Sequence, residues 1–461
     1  MMRTGAGWTN GIAAGLALAL AAAAAAQPGA APVRPEADVA AQLAAARYPS
    51  PVLLGLWQRL RTDPRALEDF RAERQGQGPL IEPVAGDPGA RRVTYLYFGD
   101  AETEAVRASA GPHAATGGIL MTRFLQTPLF YASELVPADA RYTYGFALIE
   151  TRRSGPGGEV VTSEDRFDGD PLNPHLFGGR PLIELPNAPV AAEAAERPLP
   201  ARGTVTRAAI ASRALGETRP ISVYTPPGLA AAGAADLLIV LDGRLYASAV
   251  AEDGVPVPTI LDNLLADRRI GPVVAIFVDN LPGRRDRDLA ANPAFADFLA
   301  NELVAWARAH HRIAAGPAHV VVAGSSLGGA AAADCAFRHP ERVGNVLSQS
   351  GAFWLTDRGA TWRSPYPTGG DGLVIARYRD TPRRPVRFAL SVGRFEDATN
   401  LFATNRDFRD VLLAKGYAVA YEEVDGGHEA ASWRTTFARG LTALIGRPSR
   451  ARGSAPQGRT D

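Results

Sequence analysis

The sequence predicts two folded modules: a small β-sandwich-like domain, then an α/β domain whose mostly parallel sheet carries helices on both faces. Three observations support this. The chain has 461 residues, more than one hydrophobic core usually supports. Its first half holds short β-branched and aromatic runs bounded by Gly, Asp and Pro. Its second half alternates apolar strand-like runs with helical stretches, the pattern of βα units.

Taken in order, Arg3 precedes an apolar Ala/Leu run from Gly11 to Ala26, and small residues at Ala24 and Ala26 stand before Gln27-Pro28. This is the pattern of a cleavable export signal over residues 1–26. It implies a periplasmic or secreted protein with no stable membrane insertion after cleavage, since spanning a bilayer takes roughly 20 apolar residues. Residues 37–185 read as the N-terminal domain. A helical lead-in with breaks near Pro51 and Pro64 comes first, then a sandwich centred on residues 91–150 with strands at 93–98 and 141–146. Asp170-Pro171-Leu172-Asn173-Pro174 reads as an irregular loop. Residues 186–202, rich in Pro, Ala and Glu, read as an interdomain linker. Residues 203–446 form the α/β domain. Its strands are expected at 221–225, 237–241, 273–278, 319–323, 387–392 and 418–424, and its helices at 260–266, 295–311, 327–337, 406–415 and 433–445. The polar, Pro/Gly-rich residues 447–461 read as a disordered tail.

Charge narrows the function. Lys+Arg 49 against Asp+Glu 48 leaves a net charge of +1, which offers no field for nucleic acid. Cys335 is the single cysteine, so no internal disulfide forms, and its place in an apolar helix argues against a thiol nucleophile.

The chemistry concentrates at Gly324-Ser325-Ser326-Leu327-Gly328, a G-x-S-x-G pattern between a strand and a helix. That context is the nucleophile elbow of the α/β-hydrolase fold, with Ser326 as nucleophile. A serine hydroxyl needs a base. His428, in Val424-Asp425-Gly426-Gly427-His428, follows a late strand and completes the chain order Ser, acid, His. The orienting acid is Glu396 or its neighbour Asp397, and Glu396 is preferred. Oxyanion donors are expected from the backbone N–H of Leu327 and from Gly243 or Arg244 after an early strand, Gly243 being preferred. No metal or cofactor is expected. His428-Glu429 begins an H-E-x-x-H pattern, but Ser432 stands at the second histidine position.

Several segments together resemble the enterochelin (enterobactin) esterases. They are Val322 to Gly329, His339-Pro340-Glu341-Arg342-Val343-Gly344, Leu347 to Trp354, Leu241-Asp242-Gly243, and Val424 to Glu429 followed by Trp433-Arg434. Upstream, Gly78-Pro79-Leu80-Ile81-Glu82-Pro83, Val93-Thr94-Tyr95 and Asp170-Pro171-Leu172-Asn173 resemble that family's N-terminal domain. The resemblance implies a serine esterase that opens the ester bonds of a catecholate trilactone siderophore, with Ser326, His428 and Glu396 catalytic. Its substrate would be a small ester, a ferric catecholate, with the iron arriving as cargo. Such an anion would favour nearby arginines. Arg284, Arg285 and Arg287 follow one strand and Arg358 follows Trp354; Arg287, Trp354 and Arg358 are the candidate substrate-binding residues. Trp354-Leu355 replaces the family's Trp-Trp pair. Two alternatives stand beside this reading: an exported esterase for feruloyl, acetyl or other esters, and a non-catalytic binding protein of hydrolase fold.

Overall fold

The computed structural model describes residues 50–154, 159–167, 169–249, 252–356 and 372–447. The expected signal peptide, the start of the helical lead-in, Arg358 and the tail from residue 448 lie outside them.

The described residues begin with two helices, α1 (Pro51–Leu60) and α2 (Ala66–Arg74). The Ser50 side chain accepts from Leu53 N–H and Pro51 fills the first turn, so the start is capped as its sequence specifies. Leu53, Leu56, Ala66 and Phe70 are buried.

That module is two antiparallel sheets. One runs β1 (Leu80–Val84), β2 (Asp87–Phe98), β6 (Leu129–Pro137), β5 (Thr122–Arg123). The other runs β4 (Ile119–Leu120), β3 (Thr103–Ala110), β7 (Arg141–Ser154), β10 (Arg180–Glu184), β9 (Leu176–Phe177), with β8 (Glu159–Phe167) also paired to β7. Their facing residues, among them Val93, Tyr95, Val106, Phe130, Tyr142, Tyr144 and Phe146, form one core. The sandwich therefore extends beyond 91–150, because β1, β8 and β10 each find a partner strand. Tyr144 also donates to Asp170 and receives Asn173 Nδ2 at 3.1 Å, which fixes the 170–174 loop.

Residues 186–202 connect the modules and are held along their length. Asn263 Nδ2 donates to Glu193 O and Ala195 O, and Arg197 bonds Asn263 and Asp267. The Pro/Ala/Glu composition gives a strap seated on helix α5 (Val257–Ala266) rather than a free tether.

The second module is an eight-stranded sheet ordered β11-β12-β14-β13-β15-β16-β17-β18. Its strands are β11 (Thr204–Ser212), β12 (Glu217–Thr225), β13 (Asp236–Leu241), β14 (Val273–Val278), β15 (Val320–Ser325), β16 (Asn345–Gln349), β17 (Arg387–Gly393) and β18 (Ala418–Val424). β11 and β12 are antiparallel, and from β14 onward every pairing is parallel. The sheet is the α/β-hydrolase arrangement, and the continuous apolar runs of its central strands reflect burial on both faces. Leu237, Ile239 and Leu241 point into one core, Leu238 and Val240 into the other.

Between β12 and β15 lie α3 (Leu229–Ala232), α4 (Gly243–Tyr246), α5, α6 (Arg285–Leu289), α7 (Pro293–Asp297) and α8 (Val304–His310). A π-helical stretch, Phe298–Leu303, joins α7 to α8, so residues 293–310 run nearly as the single helix expected. α9 (Leu327–Arg338), α10 (Leu373–Asp380), α11 (Leu401–Ala414) and α12 (Ala430–Ile445) follow. Residues of α7 to α11 build one core, and α5 and α12 cover the other face. Arg219 on β12 is wholly buried, neutralised by the equally buried Asp288 on α6. Cys335 is buried in α9, where burial pushes its thiol well above the usual range. Among the described residues no helix is long and apolar enough to cross a membrane.

Candidate active site

Strand β15 ends at Ser325 and α9 starts at Leu327, so Ser326 alone turns the chain. It does so at φ 56° and ψ −125°, a region that costs a non-glycine residue about 1–3 kcal/mol. The neighbours hold it there. Ser326 N–H donates to Gln349 O at 3.0 Å, and its carbonyl accepts from Ala352 N–H at 2.9 Å. A Cβ on Gly324 would lie 2.6 Å from the Gly328 carbonyl carbon, so the G-x-S-x-G glycines permit the close strand–helix return.

His428 sits between β18 and α12. Its Nδ1 is 2.8 Å from Glu396 Oε2. The Glu396 carboxylate is 1% exposed. Its Oε1 accepts from Gly393 N–H at 2.9 Å and from Ser350 Oγ at 2.6 Å. Ser350 Oγ in turn accepts from Trp433 Nε1 at 2.9 Å, and the Trp433 ring meets the His428 ring edge-on with centroids 5.1 Å apart. Imidazole, carboxylate, hydroxyl and indole thus close a ring of contacts that fixes the histidine's tilt. Glu396 is the acid that reaches His428; the Asp397 side chain lies outside the described residues.

Ser326 and His428 open onto one cavity of about 420 Å³, lined also by Asp242, Arg244, Leu245, Asn280, Arg285, Ser325 and Trp433. Gly243 and Leu327 are the first residues of α4 and α9, where backbone N–H groups have no intrahelical acceptor. Of the two oxyanion candidates after β13, Arg244 lines the cavity, and Gly243 stands just before it as the first residue of α4. A Cβ there would meet Asp279 Oδ1 at 2.7 Å.

The substrate-binding expectations need correction. Arg287 does not line this cavity; its guanidinium is taken by Glu217 and Asp288 at the foot of α6. One half-turn earlier, Arg285 does line it and holds Asp242 with two bonds of 2.7 and 2.8 Å, Asn280 also donating to that carboxylate. Helical periodicity explains the miss, since residues two apart point to opposite sides. Trp354 packs half-buried against the larger core and is not part of the cavity lining. Arg358 lies outside the described residues. Ser350 and Trp433 lie in family-like segments of the sequence, yet neither is assigned a site role from sequence. Among the described residues no cluster of three or more His, Cys, Asp or Glu could hold a metal ion.

The family model described as putative esterase matches residues 212–444. An iron(III) enterobactin esterase of Escherichia coli is 28% identical over 286 residues, which is 60% of this chain and 66% of that protein. That of Dickeya dadantii is 27% identical over 402 residues, 80% of this chain and 90% of that protein. The E. coli iron(III) salmochelin esterase is 26% identical, covering 82% and 94%. Among solved structures, the ferric enterobactin esterase of Salmonella typhimurium superposes with a TM-score of 0.64 at 25% identity, over 81% of this chain and 98% of that one. An enterobactin esterase of Shigella flexneri gives 0.62 at 22% identity over 80% and 95%, a likeness of fold.

Proposed function

Since the chain belongs to the putative-esterase family, we propose that it hydrolyses the ester bonds of a catecholate trilactone siderophore, with Ser326 as nucleophile. The observation that carries the chemistry is the 2.8 Å contact from Glu396 to His428, with that imidazole and the elbow serine facing one cavity. His428 takes the proton of the Ser326 hydroxyl as it attacks the ester carbonyl, while Glu396 orients the ring and stabilises its positive form. Backbone N–H groups of Leu327 and Gly243 would receive the oxyanion. His428 returns the proton to the leaving alkoxide, and water then releases the acyl group by the same route.

For the substrate, support comes from the relatives' names and from Arg244 and Arg285 at the cavity, cations suited to an anionic ferric catecholate. The basic start and apolar run of residues 3–26 support export to the periplasm or beyond; N-terminal sequencing of protein recovered from the periplasm checks this.

The decisive test exposes ferric and iron-free enterobactin to the protein and to Ser326→Ala, read by mass spectrometry, with a fluorophosphonate probe on both. Trilactone opening and probe labelling that both vanish in the variant are expected. Labelling without trilactone turnover removes the siderophore. Absence of both removes the esterase.

A further inference from the structure

The loops bearing Glu396 and His428 both end on the same tip of the sandwich. Strand β3 stops at Ala110, opposite Tyr144 of β7, while β7 itself starts at Arg141. While β10 pairs with one edge of β7 here, the N–H groups of Arg141 and Thr143 on the edge that β3 leaves are taken by the second module. Arg141 N–H donates to Asp425 O at 2.9 Å. Thr143 N–H donates to Glu429 Oε1 at 2.9 Å, and the Thr143 hydroxyl donates to Glu429 Oε2. Between them the Tyr142 ring meets Phe395 edge-on at 5.5 Å, so the residue before Glu396 is buried in the sandwich core. The two loops are also tied directly, Phe395 N–H donating to Gly426 O at 3.1 Å. A Cβ on Gly426 would lie 3.0 Å from Arg141 O, which shows how closely the base loop is pressed against the strand.

We propose that Glu429 is a positioning residue for His428, its carboxylate clamping the base loop to Thr143 of the sandwich. Glu429 follows the base directly, stands at the residue before α12, and bonds a strand 286 residues away in sequence. Its two oxygens face two donors on one residue, a fork that fixes direction as well as distance. A loop with Gly426 and Gly427 has wide backbone freedom, and the clamp removes it at the residue where the imidazole must be aimed. This rests on the esterase reading above for its kinetic consequence, but the clamp itself has a readout that needs no catalysis.

The experiment uses the whole chain and four variants: Glu429→Ala, Glu429→Gln, Thr143→Val, and the double variant Glu429→Ala/Thr143→Val. Hydrolysis of a small p-nitrophenyl ester gives kcat and KM, and hydrogen exchange reads the backbone of residues 424–433. Glu429→Ala is expected to lower kcat about 10- to 100-fold through a misaimed base, with KM held within about twofold. Exchange of the loop should speed up. Glu429→Gln should recover most of the rate, because the amide oxygen still accepts Thr143 N–H and the hydroxyl can accept from the amide. Thr143→Val, nearly isosteric, should cost less and should cost nothing further in the Glu429→Ala background.

Wild-type kcat and loop exchange in Glu429→Ala would overturn the proposal. So would Gln as damaging as Ala, which would assign Glu429 a charge role instead, and so would additive effects of the two sites. If the wild-type protein neither turns over esters nor takes the probe at Ser326, the esterase reading falls, and loop exchange alone decides the clamp.

Discussion

Ser350→Ala tests how the acid is held. The Ser350 side chain is 1% exposed and stands between Trp433 Nε1 at 2.9 Å and Glu396 Oε1 at 2.6 Å. Removing the hydroxyl takes one donor from an ionised carboxylate and leaves an indole N–H without its acceptor. A bond to a charged group is worth about 1.5–3 kcal/mol and a stranded buried donor costs about 1–3 kcal/mol. Gly393 N–H still supports Oε1, so the lower ends apply, and a loss of about 2–3 kcal/mol in stability is expected. A carboxylate free to swing aims the imidazole less well. If about 1.4–2.7 kcal/mol of that support is lost at the transition state, kcat/KM falls about 10- to 100-fold. The assay is kcat/KM for a small neutral ester beside the rate of fluorophosphonate labelling, with urea unfolding followed on the same samples. Trp433→Phe removes the N–H with the five-membered half of the indole but leaves the Ser350–Glu396 bond, and should have the smaller effect on rate. A kcat/KM within about twofold of wild type in Ser350→Ala would refute the reasoning, since Gly393 alone would then suffice to hold the acid.

Three further outcomes are expected. Burial pushes the Glu134 carboxyl up to about 7, against a usual value near 4.3, even though Tyr95 donates to it at 2.6 Å. The folded protein thus holds that proton more tightly than the unfolded chain. Its stabilising contribution is complete below about pH 4.3 and is lost as pH rises through about 7, a span worth about 4 kcal/mol at most. Urea midpoints compared between about pH 5 and pH 8 should fall less in Glu134→Gln than in wild type, and equal slopes would contradict this. Arg219→Ala leaves the fully buried Asp288 with Arg287 as its remaining cation and should cost about 1.5–3 kcal/mol in urea unfolding, where a change under about 1 kcal/mol would mean that Arg287 alone satisfies the carboxylate. Arg285→Ala frees Asp242 to repel an anionic substrate. KM for a ferric catecholate should rise about 10-fold while that for p-nitrophenyl acetate changes little, and equal changes for both would remove the electrostatic role.

What the sequence made legible follows from how locally each feature is encoded. The elbow needs small residues within a few positions of Ser326, so Gly324 and Gly328 announce it. Strand β14 is apolar end to end because both faces are covered, and its bounds match the expectation. Glu396 and His428 were legible from chain order, each directly after a strand end. Three features were hidden because their determinants lie far apart. β11 is exposed along much of its length, and only its pairing with β12 makes it a strand. Arg285 and Arg287 are alike as residues, and the turn of α6 alone decides which enters the cavity. Glu429 looked like half of a failed metal motif, and its partner Thr143 belongs to another module.

That partnership bears on how such a chain can be cut and recombined. The segment that the family model matches begins at residue 212, yet the backbone against which its base loop rests begins at Arg141. A gene fragment encoding the α/β portion alone would carry Ser326, Glu396 and His428 while leaving their seat behind. Exchange of the front module between relatives is therefore constrained less by its outer surface than by three successive positions, 141 to 143. Of these, the first contributes its main chain, the second an aromatic ring and the third a β-hydroxyl. Chimaeras that preserve those three chemical roles should keep the base loop seated, provided Phe177 and Gly178 also keep their contacts to Arg434 and Glu252.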